Sequence, residues 1–253
     1  MDEVGIGGYF MHARGGLATE YMGEEWFENV RASIEEGDRL GMHSWAYDEN
    51  GWPSGFGGGK VNGLGIEYQQ KSLHAEPLTD ENRNCENTLL IRDGVRYFYR
   101  VNEFYVDTLD AKVIKKFIDE IYAVYYEKFG SGFEGFFTDE PQILRGDGYP
   151  WSFILEESFA ERYGYSLIDS LDMLFADKEG CEQVRIDYWQ LITDLFSNAF
   201  FKQIYDWCDA HGYKLTGHLV LEEDLMSQLV SNGACMPHYE HFHVPGMDWL
   251  GRP

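Results

Sequence analysis

Acidic and imidazole side chains gather where short apolar runs of this chain end. His12 and Arg14 follow VGIGGYFM, Asp48 and Glu49 follow MHSWAY, Asp139 and Glu140 follow FEGFFT, and His218, Glu222 and Glu223 follow KLTG. A fifth run, ACMPHYEHFH, carries His238, Glu240, His241 and His243. One such carboxylate alone is a solvated loop residue or a helix cap. Repetition at equivalent ends points to a shared cleft, because the strand ends of a barrel converge.

Two carboxyl groups across a cleft, one protonated and one ionised, are the working parts of glycoside hydrolysis. Glu140 is the candidate acid: it follows Phe136 and Phe137, whose apolar surroundings favour the neutral carboxyl, and Pro141 stops the strand behind it. Glu222 and Glu240 are the candidates for the second carboxylate, with nothing in the sequence preferring either. His12, Arg14, Asp48, Glu49, Trp52, Asp139, His218, His238 and Tyr239 are the candidates for holding a carbohydrate substrate. Trp45, Tyr47, Trp52, Trp151 and Tyr239 offer flat apolar faces for sugar rings, against the plainer reading of core and rim packing. The histidines at 238, 241 and 243, flanked by Glu240, also spell a metal-dependent hydrolase, since alternate residues of a strand point the same way. Sugar hydroxyl recognition is the preferred reading of those histidines, with no metal assigned.

These residues need a scaffold. Residues 24–40 place Trp26, Phe27, Val30, Ile34 and Leu40 at helical spacing before Gly41. Residues 110–129 open on Asp110, a plausible N-cap, and stop at Gly130; 183–211 stop at Gly212; a shorter helix near 223–231 precedes Gly233. Each helix leads into an apolar strand. Five strands joined by helices imply a parallel α/β sheet. Five are too few for a (β/α)8 barrel, so the expectation is an incomplete TIM-type barrel holding about strands 2 to 6, in one catalytic domain over 1–253, with an open five-stranded sheet as the other architecture. Two insertions leave strand ends: 60–109, with a β-hairpin turning at Asp93-Gly94, and 142–182, read as helical.

The formal net charge of -24 repels nucleic acid and anionic membranes, so neither is expected as a partner. No run approaches the roughly 18 to 20 apolar residues of a membrane span, and MDEVGIGGYF lacks a signal-peptide pattern. Cys85, Cys181, Cys208 and Cys235 form no CxxC pair and read as buried free thiols, compatible with a cytoplasmic location. No GxGxxG or GxxxxGK[ST] opens a helix, and GFGGG at 55–59 is a poor phosphate loop because no helix follows it directly.

IGGYFMHARGGL, WAYDENGWPSGFGGG, FFTDEPQ, DYWQLITDLF, LTGHLVLEEDL and PGMDWLGR, in this order, resemble bacterial glycoside hydrolases of the α-L-rhamnosidase-like group, glycoside hydrolase family 106 and its uncharacterised relatives. The resemblance implies a (β/α)8 barrel with accessory β-domains and an acid on the fourth strand, where Glu140 falls if one strand precedes residue 4. It also implies a partner carboxylate on a later strand, commonly the seventh, beyond this sequence. Some members use a calcium ion; Asp48, Glu49 and Glu240 are oxygen donors at plausible strand ends here. Plant or bacterial glycans, α-L-rhamnosides among them, are the expected substrates, and a non-catalytic carbohydrate-binding barrel is the competing expectation.

Overall fold

A computed structural model describes residues 1–248. In chain order its strands are β1 Gly8–Met11, β2 His43–Tyr47, β3 Gln69–Pro77, β4 Thr88–Arg92, β5 Val95–Val106, β6 Gly135–Asp139, β7 Tyr149–Trp151, β8 Lys214–His218 and β9 Val244–Pro245. Two sheets result, so the fold is mixed α/β. One sheet is parallel throughout, in the order β1-β2-β6-β8-β9; the other is antiparallel, in the order β4-β5-β3-β7.

Helices cover one face of the parallel sheet, and their sequences say why. Helix Glu24–Leu40 buries Trp26, Phe27, Val30, Ile34 and Gly37, a single stripe, and ends on Gly41 at φ 68°. Asp110 caps the next helix by accepting the Lys112 N–H at 2.8 Å. That helix runs as Ala111–Phe117 and Ala123–Phe129 around a π turn, Ile118–Tyr122. Cys181–Phe196 and Gln203–Ala210 likewise flank a π turn at Ser197–Lys202. Against these helices the strands present Met11, Ala46, Phe136 and Leu215, all buried. Phe136 is the centre of the layer, its ring 4.3 Å from that of Tyr122 and 5.2 Å from that of Tyr213. Backbones approach closely across the sheet: a Cβ at Gly217, φ 148°, would strike the Thr138 carbonyl on the neighbouring strand.

Expectations change at three places and are extended at one. Residues 234–243 are not a strand: Pro237 stands in the first turn of a short helix, Met236–Tyr239, and the fifth strand is displaced to β9. The hairpin at Asp93-Gly94, both residues at positive φ, belongs to a larger sheet, because β3 pairs along β5. Region 142–182 is not wholly helical: Tyr149–Trp151 closes the edge of that same sheet before helices Leu155–Tyr163 and Leu171–Phe175. Cys85 is exposed, unlike Cys181, Cys208 and Cys235. Among the described residues no helix is long and apolar enough to cross a membrane.

Candidate active site

Strand alternation splits the two phenylalanines before Glu140. Phe136 faces the helices, while Phe137 faces the opposite side, where its ring lies 5.0 Å from Phe10 and 5.4 Å from Tyr47. These rings floor a pocket of about 370 Å³ at the C-terminal ends of the parallel strands. His12, Arg14, Trp52, Asp139, Glu140, His218 and Asp248 complete its lining.

Asp139 is the hub of the charged wall. Its Oδ2 accepts from Arg14 Nη2 at 2.9 Å and from the Tyr47 hydroxyl, and its Oδ1 stands 3.6 Å from His218 Nε2. Arg14 also donates from Nε to His12 Nε2 at 2.9 Å, and the His12 ring stacks on Tyr47 at 3.6 Å. Burial, followed by the charge of Arg14, pushes the His12 imidazole below its ordinary value, which keeps it neutral and able to accept. Burial and then the Asp139 contact push the Tyr47 phenol up, so it remains a donor.

Glu140 sits at the mouth of the same wall. Its backbone is left-handed, φ 49°, a conformation sparsely occupied by non-glycine residues. Oε2 accepts from the Trp52 indole Nε1 at 2.6 Å, and Oε1 lies 3.6 Å from His218 Nδ1. Burial is the largest influence on its acidity and raises its pKa; the Trp52 N–H and the His218 charge oppose this, while Asp139 and Asp248 reinforce it.

Ser54 fixes the backbone beneath. Its Oγ accepts the Asp139 N–H at 2.8 Å and donates to Asp48 Oδ1 at 2.5 Å, while its own N–H donates to the Asp139 carbonyl at 2.8 Å. Asp48 also accepts from the Tyr122 hydroxyl at 2.7 Å. Asp48 and Glu49 are both fully buried, which corrects their expected place among sugar-facing groups. Burial pushes Asp48 up to about 7 and Glu49 up to about 8. Glu49 takes the backbone N–H groups of Asn50, Gly57 and Gly58 at 2.9, 2.5 and 2.6 Å. The glycine loop thus wraps the protein's own carboxyl group.

The remaining candidates stand away from the pocket lining. Glu222 accepts from the Tyr239 hydroxyl and the Leu219 N–H, so those two predicted residues engage each other. His238 is fully buried, bonded to the Asn232 carbonyl at 2.8 Å and stacked on Phe201, and burial pushes it down to about 4. His243 accepts the Leu215 N–H at 3.0 Å and stacks on Tyr205. Glu240 caps the short helix, outside the pocket lining. The strand that would have aligned 238, 241 and 243 does not form, and their metal set dissolves with it.

Asp248 and Phe10 are pocket residues that sequence reasoning missed. Of the two, Asp248 carries the charge. It follows β9, so the signal was present once the strand is placed at Val244–Pro245. Trp249–Arg252, the end of the PGMDWLGR block, lie outside the described residues.

Asp139, Glu140 and His218 could each offer one metal ligand, all within 4.8 Å of one another. Calcium takes six to eight oxygen ligands. Two carboxylates and an imidazole, with Asp139 already held by cationic Arg14, do not match that shell. Asp48 and Glu49, the oxygen donors expected for calcium, are turned to internal partners.

No protein-family model and no curated protein matches this chain. Among solved structures, a rhamnosidase from Novosphingobium sp. PP1Y is similar over 60% of this chain at a TM-score of 0.47 and 16% identity. The match covers 16% of that rhamnosidase, so this chain spans a small part of its length.

Proposed function

We propose that this chain is the catalytic part of a glycoside hydrolase, with Glu140 as general acid and Asp248 as the facing carboxylate. The observation that carries the reading is Glu140 itself: a carboxyl group whose burial favours the proton, beside an aromatic floor, at the C-terminal end of a parallel strand. A protonated Glu140 gives its proton to the glycosidic oxygen as the bond to the sugar carbon breaks. Asp248 then activates water or attacks that carbon; a carboxyl separation of about 5–5.5 Å selects attack with retention and about 6.5–9.5 Å selects water with inversion. Asp139, held by Arg14 and Tyr47, orients His218 and the sugar hydroxyls. Parallel strands in chain order support a (β/α)8 barrel as the parent fold, and the sequence blocks support an α-L-rhamnoside as substrate.

The test compares Glu140→Gln with the parent on two glycosides. An alkyl glycoside, whose leaving group needs the proton, loses about 10²- to 10⁴-fold in turnover. A dinitrophenyl glycoside, whose leaving group departs unaided, loses far less. Equal losses on both substrates would remove Glu140 as the acid. Sugar binding by the parent without turnover of either would favour a non-catalytic carbohydrate-binding protein.

A further inference from the structure

Trp52 has two sides. Its indole N–H holds Glu140 in the pocket, and its ring carries the Arg145 guanidinium at 5.0 Å in a second, larger cavity of about 820 Å³. Asn102 and Phe104 from the antiparallel insertion also line that cavity, and both border a third cavity of about 570 Å³. Trp52 is common to the linings of the first and second hollows, and Asn102 and Phe104 to those of the second and third. Volumes of this size accommodate whole ligands rather than single water molecules.

The rim of the middle cavity is apolar and open. Phe104 is 75% exposed, Leu221 49% and Val230 45%. Leu221 is also left-handed, φ 54°, which a branched apolar residue adopts only under constraint. Polar groups line the same cavity. Buried Gln70 fixes two of them, its Oε1 accepting from Asn102 Nδ2 at 3.2 Å and from the Arg145 N–H at 3.0 Å. The exposed aromatic rings of Trp52 and Phe104, in one lining with Asn102 and Arg145, pair flat apolar faces with hydrogen-bonding groups, the combination that sugar rings need.

Resting on the glycosidase reading, we infer that the Trp52–Phe104 cleft binds the leaving-group side of the substrate, and that this leaving group is an oligosaccharide. The direction follows from the acid. A general acid protonates the oxygen of the departing group, so that group lies on the Glu140 side of the scissile bond. Glu140 is bonded to Trp52, and beyond Trp52 lies the cleft. The cleaved sugar occupies the smaller pocket, and the antiparallel insertion becomes the element that selects what the sugar is attached to.

Calorimetry on the full chain tests this with Glu140→Gln, which holds ligand without consuming it, and two probes: free rhamnose and a rhamnose-capped tetrasaccharide. Adding Phe104→Ala, at an exposed position with little packing to lose, weakens the tetrasaccharide about three- to tenfold, the worth of one aromatic contact. Rhamnose binding stays within about twofold, because Phe104 does not line the smaller pocket. Equal effects on both probes, no effect on the tetrasaccharide, or no binding of it at all overturns the inference. Hydrolysis of 4-nitrophenyl α-L-rhamnoside by the parent chain reads the glycosidase assignment separately. Cleavage without tighter tetrasaccharide binding sinks the cleft alone; a Phe104-dependent tetrasaccharide complex without any hydrolysis sinks the catalytic reading alone.

Discussion

Asp139 and His218 are register partners on neighbouring parallel strands, and the imidazole stands near two acids of the site, Nε2 to Asp139 and Nδ1 to Glu140, each at 3.6 Å. One ring therefore stands beside two carboxyl groups that are adjacent in the chain. Its placement depends on Gly217, where the strands come too close for a side chain.

The Trp52 bond to Glu140 gives a signed pH prediction. The indole N–H stabilises the carboxylate form, so removing it raises the Glu140 pKa further. If Glu140 is the general acid proposed above, the active form is protonated and the alkaline limb of kcat/KM follows this group. Trp52→Phe shifts that limb to higher pH, measured as a pH profile on one glycoside. A limb that stays in place assigns it to another residue.

Phe136 and Phe137 are neighbours with separate jobs. Phe136→Ala opens the packed layer between sheet and helices and costs about 3–5 kcal/mol in chemical denaturation. Phe137→Ala removes a partly buried ring and costs about 1 kcal/mol, while raising KM for sugar. Reversed magnitudes would place the pocket on the other face of the sheet.

Ser54→Ala leaves the Asp139 N–H and the Asp48 carboxyl without their shared partner. The expected loss is about 1–3 kcal/mol, with a melting midpoint lower by several degrees. Turnover falls as well, because the same hydroxyl anchors the turn that presents Glu140. Ser54→Thr, which keeps the hydroxyl, is the control that separates loss of the hydrogen bonds from disruption of the site.

Asp48 ties stability to pH. Its ordinary value is 3.8 and the folded protein raises it to about 7. Between these values the folded state keeps a proton that the unfolded state has released, so this contribution is complete below about pH 4 and is lost as pH rises through about 7. Asp48→Asn flattens the dependence of the melting temperature on pH across that window. A slope identical to the parent's would mean that Asp48 is ionised when folded.

Local patterns read well from sequence because local physics sets them. The stripe of Trp26, Phe27, Val30 and Ile34, the cap at Asp110 and the turn at Asp93-Gly94 each need only neighbours along the chain. The histidine run misled for a similar reason: its alternation mimics a strand, yet Pro237 starts a helix and His238 is drawn into an aromatic core beside Phe196 and Phe201. Asp48 and Glu49 look like cleft residues until Ser54, Tyr122 and the glycine loop fold over them. The link between Trp52 and Glu140 spans 88 positions, and spacing carries no trace of it.

The left-handed backbone at Glu140 has a consequence for how this protein would drift under selection. Asn and Gly occupy that conformation with less strain than Glu. Neither would place an ionisable group in the partly buried mouth of the pocket. A library chosen only for survival on heating should therefore lose glutamate at position 140, whereas one chosen for growth on a glycan should keep it. Divergent outcomes at one codon would mark the point where durability and chemistry compete.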